Sequence, residues 1–297
     1  TQLFTENYMV RFLLENSLGT WWAARRPDSP LLKTFTYLRY RDDGAPAAGT
    51  FPGWPDRAAA ITCMDPCGGS GHFVVAEFEM LRRMRMAEEG LDARAAGDAV
   101  IRDNLFMLEL DPRCTQIATF SLALAAWRSG GYRPLPAPNI ACSGLAVTGQ
   151  LEDWLRLARG DGRLRAALER LHRLFTNAPT LGSLINPADV PLNERMFSAD
   201  YEEVAPLLAR ALARERDDPA AAVLGAAAEG VAKAAKLLAR QYTLVATNVP
   251  YLGLNRQSDT LKVFANLHHR DAVTDLATVF IDRCRMYAVP SGSLALV

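Results

Sequence analysis

The chain has 297 residues, 49% of them apolar, which suffices for one large core or two smaller ones and excludes disorder as the overall state. Lysine plus arginine equal aspartate plus glutamate at 33 each, so no global positive field points to a polyanionic partner. A nucleic-acid partner would therefore need a local basic face, for which Arg82 to Arg85 and Arg256 to Arg270 are the available stretches.

The first element in chain order is an amphipathic helix: Phe4, Tyr8, Phe12 and the Leu13, Leu14 pair recur at helical spacing, and Gly19 supplies a stop before Trp21 and Trp22. From Pro27 to Pro55 the chain is rich in Pro, Gly and Asp, with one β-like run at Thr34 to Tyr40, which reads as a connector. A strand follows at Ala58 to Met64, ending on Asp65, then a glycine turn and a helix from Phe73 to Glu89 stopped by Gly90. A second unit repeats the pattern. Asn104 to Leu110 is a strand with acidic residues at its end, and Pro112 opens a helix running to Gly130 and Gly131. Asn139 to Val147 and Tyr242 to Thr247 read as the third and fourth strands. The long segment between them is helical by period, at Leu151 to Ala158, Arg163 to Phe175, Tyr201 to Arg214 and, started by Asp218 and Pro219, up to Arg240. A polar loop, a helix from Asp271 to Tyr287 and a strand from Ser293 to Val297 complete the chain. Strands alternating with helices predict an α/β fold on a mostly parallel sheet.

The expected organisation is an N-terminal helix and connector over 1–57, a first half-domain over 58–149, a helical insertion over 150–240 and a second half-domain over 241–297. The start at Thr1 without methionine and the end inside GSLALV predict a fragment of a longer protein. No cleavable signal is legible, and the alanine-rich stretch 219–240 carries Glu229, Lys233, Lys236 and Arg240, so it reads as a helix outside any membrane. The five cysteines, Cys63, Cys67, Cys114, Cys142 and Cys284, are odd in number and lie mostly in apolar runs, which suits buried thiols in a reducing cytoplasm. Cys63 and Cys67 lack a second pair at ligand spacing, so no metal is assigned.

The turn DPCGGSG places Gly68, Gly69 and Gly71 where a strand hands over to a helix, so the backbone can approach a ligand closely at the sheet's C-terminal edge. A phosphate loop is disfavoured because no Gly-Lys followed by Ser or Thr is present, leaving the turn without a lysine to meet phosphate charge. A dinucleotide site is weakened because Val74 stands at the third-glycine position counted from Gly69, and Glu109 comes nearly twice as far downstream as that motif expects. Glu109 at the tip of the next strand suits the two ribose hydroxyls of a nucleoside-like cofactor, with Asp111 as a competitor that also suits capping of the helix at Pro112.

Three segments in order, DPCGGSGHF at 65–73, LELDP at 108–112 and NVPY at 248–251, resemble the gamma-type adenine-N6 DNA methyltransferases, and FTENYMVRFLLENS resembles their first motif. Within that family the resemblance points to the PglX group of BREX phage defence and to type IIG restriction-modification enzymes, and it covers most of the chain except the helical insertion. It implies a class I, Rossmann-like fold and S-adenosyl-L-methionine as cofactor. It further implies cofactor contacts from Thr5, Asp65, Cys67, Gly68, Gly69, Gly71, Phe73, Glu109, Leu110, Ser143, Gly144 and Asn248, and a catalytic set of Asn248, Val249, Pro250 and Tyr251. The implied partner is double-stranded DNA with a flipped adenine, alongside defence-system proteins.

The chemistry of the tetrapeptide is intelligible position by position. An exocyclic adenine amine is a poor nucleophile, because its lone pair is delocalised into the ring. Accepting its two hydrogens with the Asn248 side-chain oxygen and the Val249 carbonyl favours a pyramidal nitrogen and frees the pair. Tyr251 would stack on the extruded base. The family pattern has proline where this chain has Val249, which keeps the carbonyl and reduces backbone stiffness, while Pro250 still biases Val249 toward extended geometry. After the third strand many relatives carry an acidic residue where this chain reads ACSGLAV, leaving Ser143 or Gly144 to substitute through the backbone. Two other readings stand beside this one: N5-methylation of a protein glutamine amide, and a cofactor-binding scaffold without catalysis. His268, His269 and Asp271 read as a solvated polar loop, the arginines at 82–85 and 156–173 as solvated faces, and Trp21, Trp22 and Trp154 as core.

Overall fold

A computed structural model describes residues 5–158, 160–188 and 219–297. Five strands form one sheet in the order β3-β2-β1-β4-β5, with β1 Cys63–Asp65, β2 Leu105–Glu109, β3 Asn139–Cys142, β4 Tyr242–Thr247 and β5 Ala288–Leu296. Every pairing is parallel, as the alternation of strands and helices predicts. The order reverses direction between β1 and β4, so the crevice outside the carboxyl ends of those two strands is where an open α/β sheet binds its ligand.

The sheet is covered on both faces, and successive strand residues divide between them. Cys63, Leu105, Met107, Leu244 and Ala246 face a core shared with α1 (Asn7–Leu14), α2 (Thr20–Arg25), α3 (His72–Glu89), α4 (Ala93–Asp103) and α5 (Pro112–Gly130). Met64, Phe106, Leu108 and Val245 face a second core, shared with α6 (Leu151–Arg156), α7 (Gly162–Leu174), α8 (Ala178–Leu181), α9 (Pro219–Ala239), α10 (Asp259–His268) and α11 (Leu276–Tyr287). The described part of 150–240 thus packs directly on the sheet. Trp21, Trp22 and Trp154 are fully buried, and each indole N–H has an acceptor, the Pro55 carbonyl, the Ser29 hydroxyl and the Thr148 carbonyl.

Several boundaries differ from the sequence expectation for identifiable reasons. Gly19 does not stop the first helix: Glu15–Gly19 forms a wide turn and the helix continues through Arg25. A Cβ at Gly19 would stand 3.3 Å from the Phe35 ring, so the glycine serves close packing inside a continuous helix. The buried stripe of that helix is Val10, Leu14 and Leu18, whereas Tyr8 and Phe12 are exposed. The expected strand at Thr34 to Tyr40 is reduced to a single bridge between Tyr40 and Pro46, preceded by a short 3-10 turn at Pro30–Thr34. Ala58–Ala60 is also a 3-10 turn, and β1 begins only at Cys63. The third strand ends at Cys142, where its chain turns past Leu110, and does not reach Val147. Helix α4, for which the sequence raised no expectation, is capped by the Asp92 carboxylate on the Ala95 N–H.

The segment read as a polar loop after β4 contains α10, capped by Ser258 and buried on Leu261 and Ala265. The following helix starts at Leu276 under an Asp275 cap, not at Asp271. The last strand starts at Ala288, directly after that helix, and pairs with β4 through an irregularity beside Tyr242. Its edge position accommodates Pro290. The expected helix Tyr201 to Arg214 and the Asp218 cap lie outside the described residues.

Candidate active site at the switch of strand order

β1 and β4 deliver two segments to the same edge. Asp65 ends β1 and is fully buried, and one of its carboxylate oxygens accepts the Cys67 N–H at 3.1 Å, which closes the first bend of the glycine turn. Burial pushes its carboxyl up to about 7, against the pull of that N–H. Gly68 donates to the Leu108 carbonyl of β2, and a Cβ there would fall 2.4 Å from Met107, so the turn lies flat on the neighbouring strand. Gly71 leads into α3 at φ +89°, and a Cβ on it would meet Ala118 of α5 at 2.9 Å. Gly69, at φ +51°, has nothing within 4 Å of its Cβ direction, so it faces the open side of the turn. Phe73 is buried in the core beneath.

Glu109 ends β2 and ties the turn down: one carboxylate oxygen accepts the Gly69 N–H at 2.8 Å and the other the Asp111 N–H at 3.0 Å. Each oxygen keeps a lone pair for a further donor. Asp111 caps α5 through the Arg113 N–H and pairs with the Arg113 guanidinium, whose hydrogen bond holds its carboxyl down at about 2. Leu110, between them, is 45% exposed. A Cβ on Gly144 would stand 2.2 Å from the Leu110 carbonyl oxygen, and one on Gly182 2.7 Å from its Cδ1, so these glycines let two chain segments close around Leu110. Ser143 is fully buried: its N–H goes to the Glu109 carbonyl at 2.7 Å and its hydroxyl to that of Ser183 at 3.0 Å.

Asn248 follows the end of β4. Its side-chain NH2 donates to the Thr5 hydroxyl at 2.9 Å, and its Oδ1 is buried with no partner among the described residues. Val249 is buried in the core shared with α10 and α11, whereas Pro250 and Tyr251 are exposed, the tyrosine at 61%. The loop beyond is held by residues that carried no sequence expectation. Asp275 caps α11 and also accepts the Leu252 N–H at 3.2 Å, and the Gln257 amide donates to the Leu252 carbonyl at 2.9 Å. An aspartate immediately before an apolar helical period is a cap signal, and it was the legible trace of this brace.

The structure therefore gathers Thr5, the glycine turn, Glu109 and the Asn248 segment at one edge, and turns both polar groups of Ser143 into the protein. Other polar clusters are structural. His269 is buried, with Nδ1 2.8 Å from the Asp282 carboxylate, so the solvated-loop reading is corrected there. Arg85 is not part of a solvated face either: it is buried in contact with Glu89 at 2.7 Å and Asp103 at 3.1 Å. Among the described residues no group of three or more His, Cys, Asp or Glu is disposed to hold a metal, and no helix is long and apolar enough to cross a membrane.

The donors fit an adenosyl cofactor. The open face at Gly69 admits close approach, the Glu109 oxygens retain acceptor capacity, and the partly exposed Leu110 offers an apolar surface for a base.

No protein-family model matches the chain. Two curated proteins are similar to it. "Adenine-specific methyltransferase BrxX" of Escherichia coli O9:H4 (strain HS) is 30% identical over 318 residues, covering 95% of this chain and 25% of that protein. "Adenine-specific methyltransferase PglX" of Lacticaseibacillus casei (strain Zhang) is 26% identical over 315 residues, covering 100% of this chain and 25% of that protein. The chain spans about a quarter of the length of the curated relatives it matches. The resemblance to the PglX group read from the motifs thus extends over nearly the whole chain, and the five-stranded parallel sheet agrees with a Rossmann-like methyltransferase fold.

Proposed function

From this similarity to PglX-like adenine-specific methyltransferases, we propose that the chain is the catalytic core of an S-adenosyl-L-methionine-dependent adenine-N6 DNA methyltransferase acting in phage defence. The observation that carries the reading is the state of Asn248. It stands at the switch of strand order with its amide nitrogen engaged and its carbonyl oxygen buried and without a partner among the described residues. An orphan acceptor costs about 1–3 kcal/mol in the resting protein, and an incoming amine N–H relieves that cost.

The cofactor supplies a methyl group on a positively charged sulfur. Asp65, Cys67, Gly68, Gly69, Gly71 and Phe73 would form its cradle, Glu109 would take its ribose, Leu110, Ser143 and Gly144 would border its adenine, and Thr5 and Asn248 would close the remaining side. The chain's own work is to bind and orient. The Asn248 Oδ1 and the Val249 carbonyl accept the two hydrogens of the target amine, which frees its lone pair for in-line attack. Tyr251, exposed beside them, stacks on the extruded adenine and offsets part of its unstacking, with such contacts worth about 1–3 kcal/mol per base. The amine nitrogen takes on positive charge as it gains the methyl group and then releases one proton toward solvent, so hydrogen-bond acceptance by Asn248 and Val249 and alignment matter more than a strong base. DNA is the substrate this chemistry requires, defence-system proteins are further partners in this reading, and the site of action is the cytoplasm.

Incubation of the full-length protein containing this chain with tritium-labelled S-adenosyl-L-methionine and duplex DNA tests the reading. The expected result is label in N6-methyladenine, reduced about 100-fold or more in Asn248→Ala. Label in protein alone would favour the glutamine amide as substrate, and cofactor binding without transfer would favour a scaffold.

A further inference from the structure

We infer that Thr5 is a positioning residue for Asn248, holding the nitrogen end of its carboxamide so that the oxygen end can face the substrate; the inference rests on the methyltransferase reading above. A carboxamide has nearly the same shape with its oxygen and nitrogen exchanged, so packing alone selects poorly between the two orientations. The chemistry is strict. With the oxygen toward the substrate, Asn248 accepts from the target amine. With the nitrogen there, two donors face two donors, and the amine lone pair stays in the ring.

The target amine, a donor, takes the oxygen end, and the nitrogen end then needs an acceptor, which comes from a residue 243 positions away in sequence. Thr5 lies just ahead of α1, and its half-buried hydroxyl accepts from the Asn248 NH2 at 2.9 Å. This contact engages the nitrogen end and leaves Oδ1 buried and without a partner among the described residues. The approach of Thr5 is fixed by the helix behind it. Val10 and Leu14 of α1 are buried in the core that also contains Leu244 and Ala246 of β4, the strand that carries Asn248. Thr5 and Asn248 are thus anchored to one packed unit, and the hydroxyl meets the amide without a mobile linker. The family resemblance places Thr5 at the cofactor. The geometry assigns it a second task, exerted through Asn248.

The two roles separate kinetically. Thr5→Val keeps the shape of the side chain and removes the hydroxyl, while Thr5→Ser keeps the hydroxyl and removes a methyl group. In the full-length protein we expect Thr5→Val to lower kcat for DNA adenine methylation at saturating cofactor about 10- to 100-fold, a loss that persists whatever the change in cofactor affinity. Thr5→Ser should recover kcat to within about threefold of wild type. Thermal melts of both variants exclude a folding effect, and if Thr5→Val melts early, Thr5→Ser against Thr5→Ala makes the same comparison. A wild-type kcat without the hydroxyl overturns the inference, as does a loss confined to cofactor affinity, which would make Thr5 a cofactor ligand only. Both outcomes leave the methyltransferase reading intact. A wild-type protein that binds cofactor and methylates no adenine overturns that reading and this inference with it.

Discussion

Glu77 of α3 is fully buried, and neither of its carboxylate oxygens has a hydrogen-bond partner among the described residues. Burial first, and the neighbouring Asp65 second, raise its carboxyl well above the ordinary value of 4.5, while burial raises Asp65 from 3.8 to about 7. Both groups hold their protons more tightly in the folded chain than in the unfolded one. As pH rises from about 4 toward 7, the unfolded state therefore releases protons that the native state keeps, and stability falls across that window. Glu77→Met fills a similar volume without a charge to desolvate, so it should raise the melting temperature at pH 8 by an amount corresponding to about 1–3 kcal/mol. The gain should shrink toward pH 4.5, where the wild-type carboxyl is protonated in the native state and about half protonated in the unfolded one. Melting curves at the two pH values check this; an equal gain at both would mean that packing, not ionisation, sets the cost of Glu77.

The glycine turn shows how one element divides its residues between fold and ligand. Gly71 is boxed in by the Ala118 Cα at 3.0 Å and by a left-handed backbone, so Gly71→Ala forces α3 and α5 apart and should cost about 2–4 kcal/mol of stability. Gly69 has the left-handed backbone without the crowding, so Gly69→Ala should cost only about 1–2 kcal/mol and act mainly on cofactor affinity, because its Cβ enters the open face. Thermal melts and calorimetric titration with cofactor separate the two; comparable stability losses would show that Gly69 is not at the ligand face. This turn, and the strands ending at Asp65, Glu109 and Thr247, were legible because each is a contiguous apolar run closed by a turn or an acidic residue. Helix α4 raised no expectation although its apolar spacing is helical, because small residues, Ala96, Gly97 and Ala99, make up most of its buried face beside Val100 and Ile101. The helix through Gly19 was misread because glycine signals a stop locally, while the reason for it, the ring of Phe35, is supplied by the connector. For the site, Asn248 to Tyr251 could be read as one motif. Asp275 and Ser183 could not, because their contacts with Leu252 and Ser143 arise only when distant helices pack.

At the scale of the molecule, the sheet joins two helical layers, and the described part of the segment between β3 and β4 contributes much of one of them. Trp154 of α6 and Leu168 of α7 lie in the same core as Phe106 and Leu108 of β2, and α9 packs against both β3 and β2. Polar contacts reinforce the join: Tyr287 of α11 donates to the Ser183 carbonyl at 2.6 Å, and the Ser183 hydroxyl meets that of Ser143 just past the end of β3. A segment integrated in this way cannot unfold while leaving the sheet intact, because its loss would expose the apolar face of β2 and β4 to water. Trp154→Ala should therefore destabilise the whole α/β unit by about 3–5 kcal/mol. Far-UV circular dichroism and near-UV aromatic signals should still fall in one coincident transition. An early transition that removes helical signal alone, with the aromatic signal of the sheet cores retained, would show that the segment folds as a separate unit, and that the sheet edge at Ser143 stands without it.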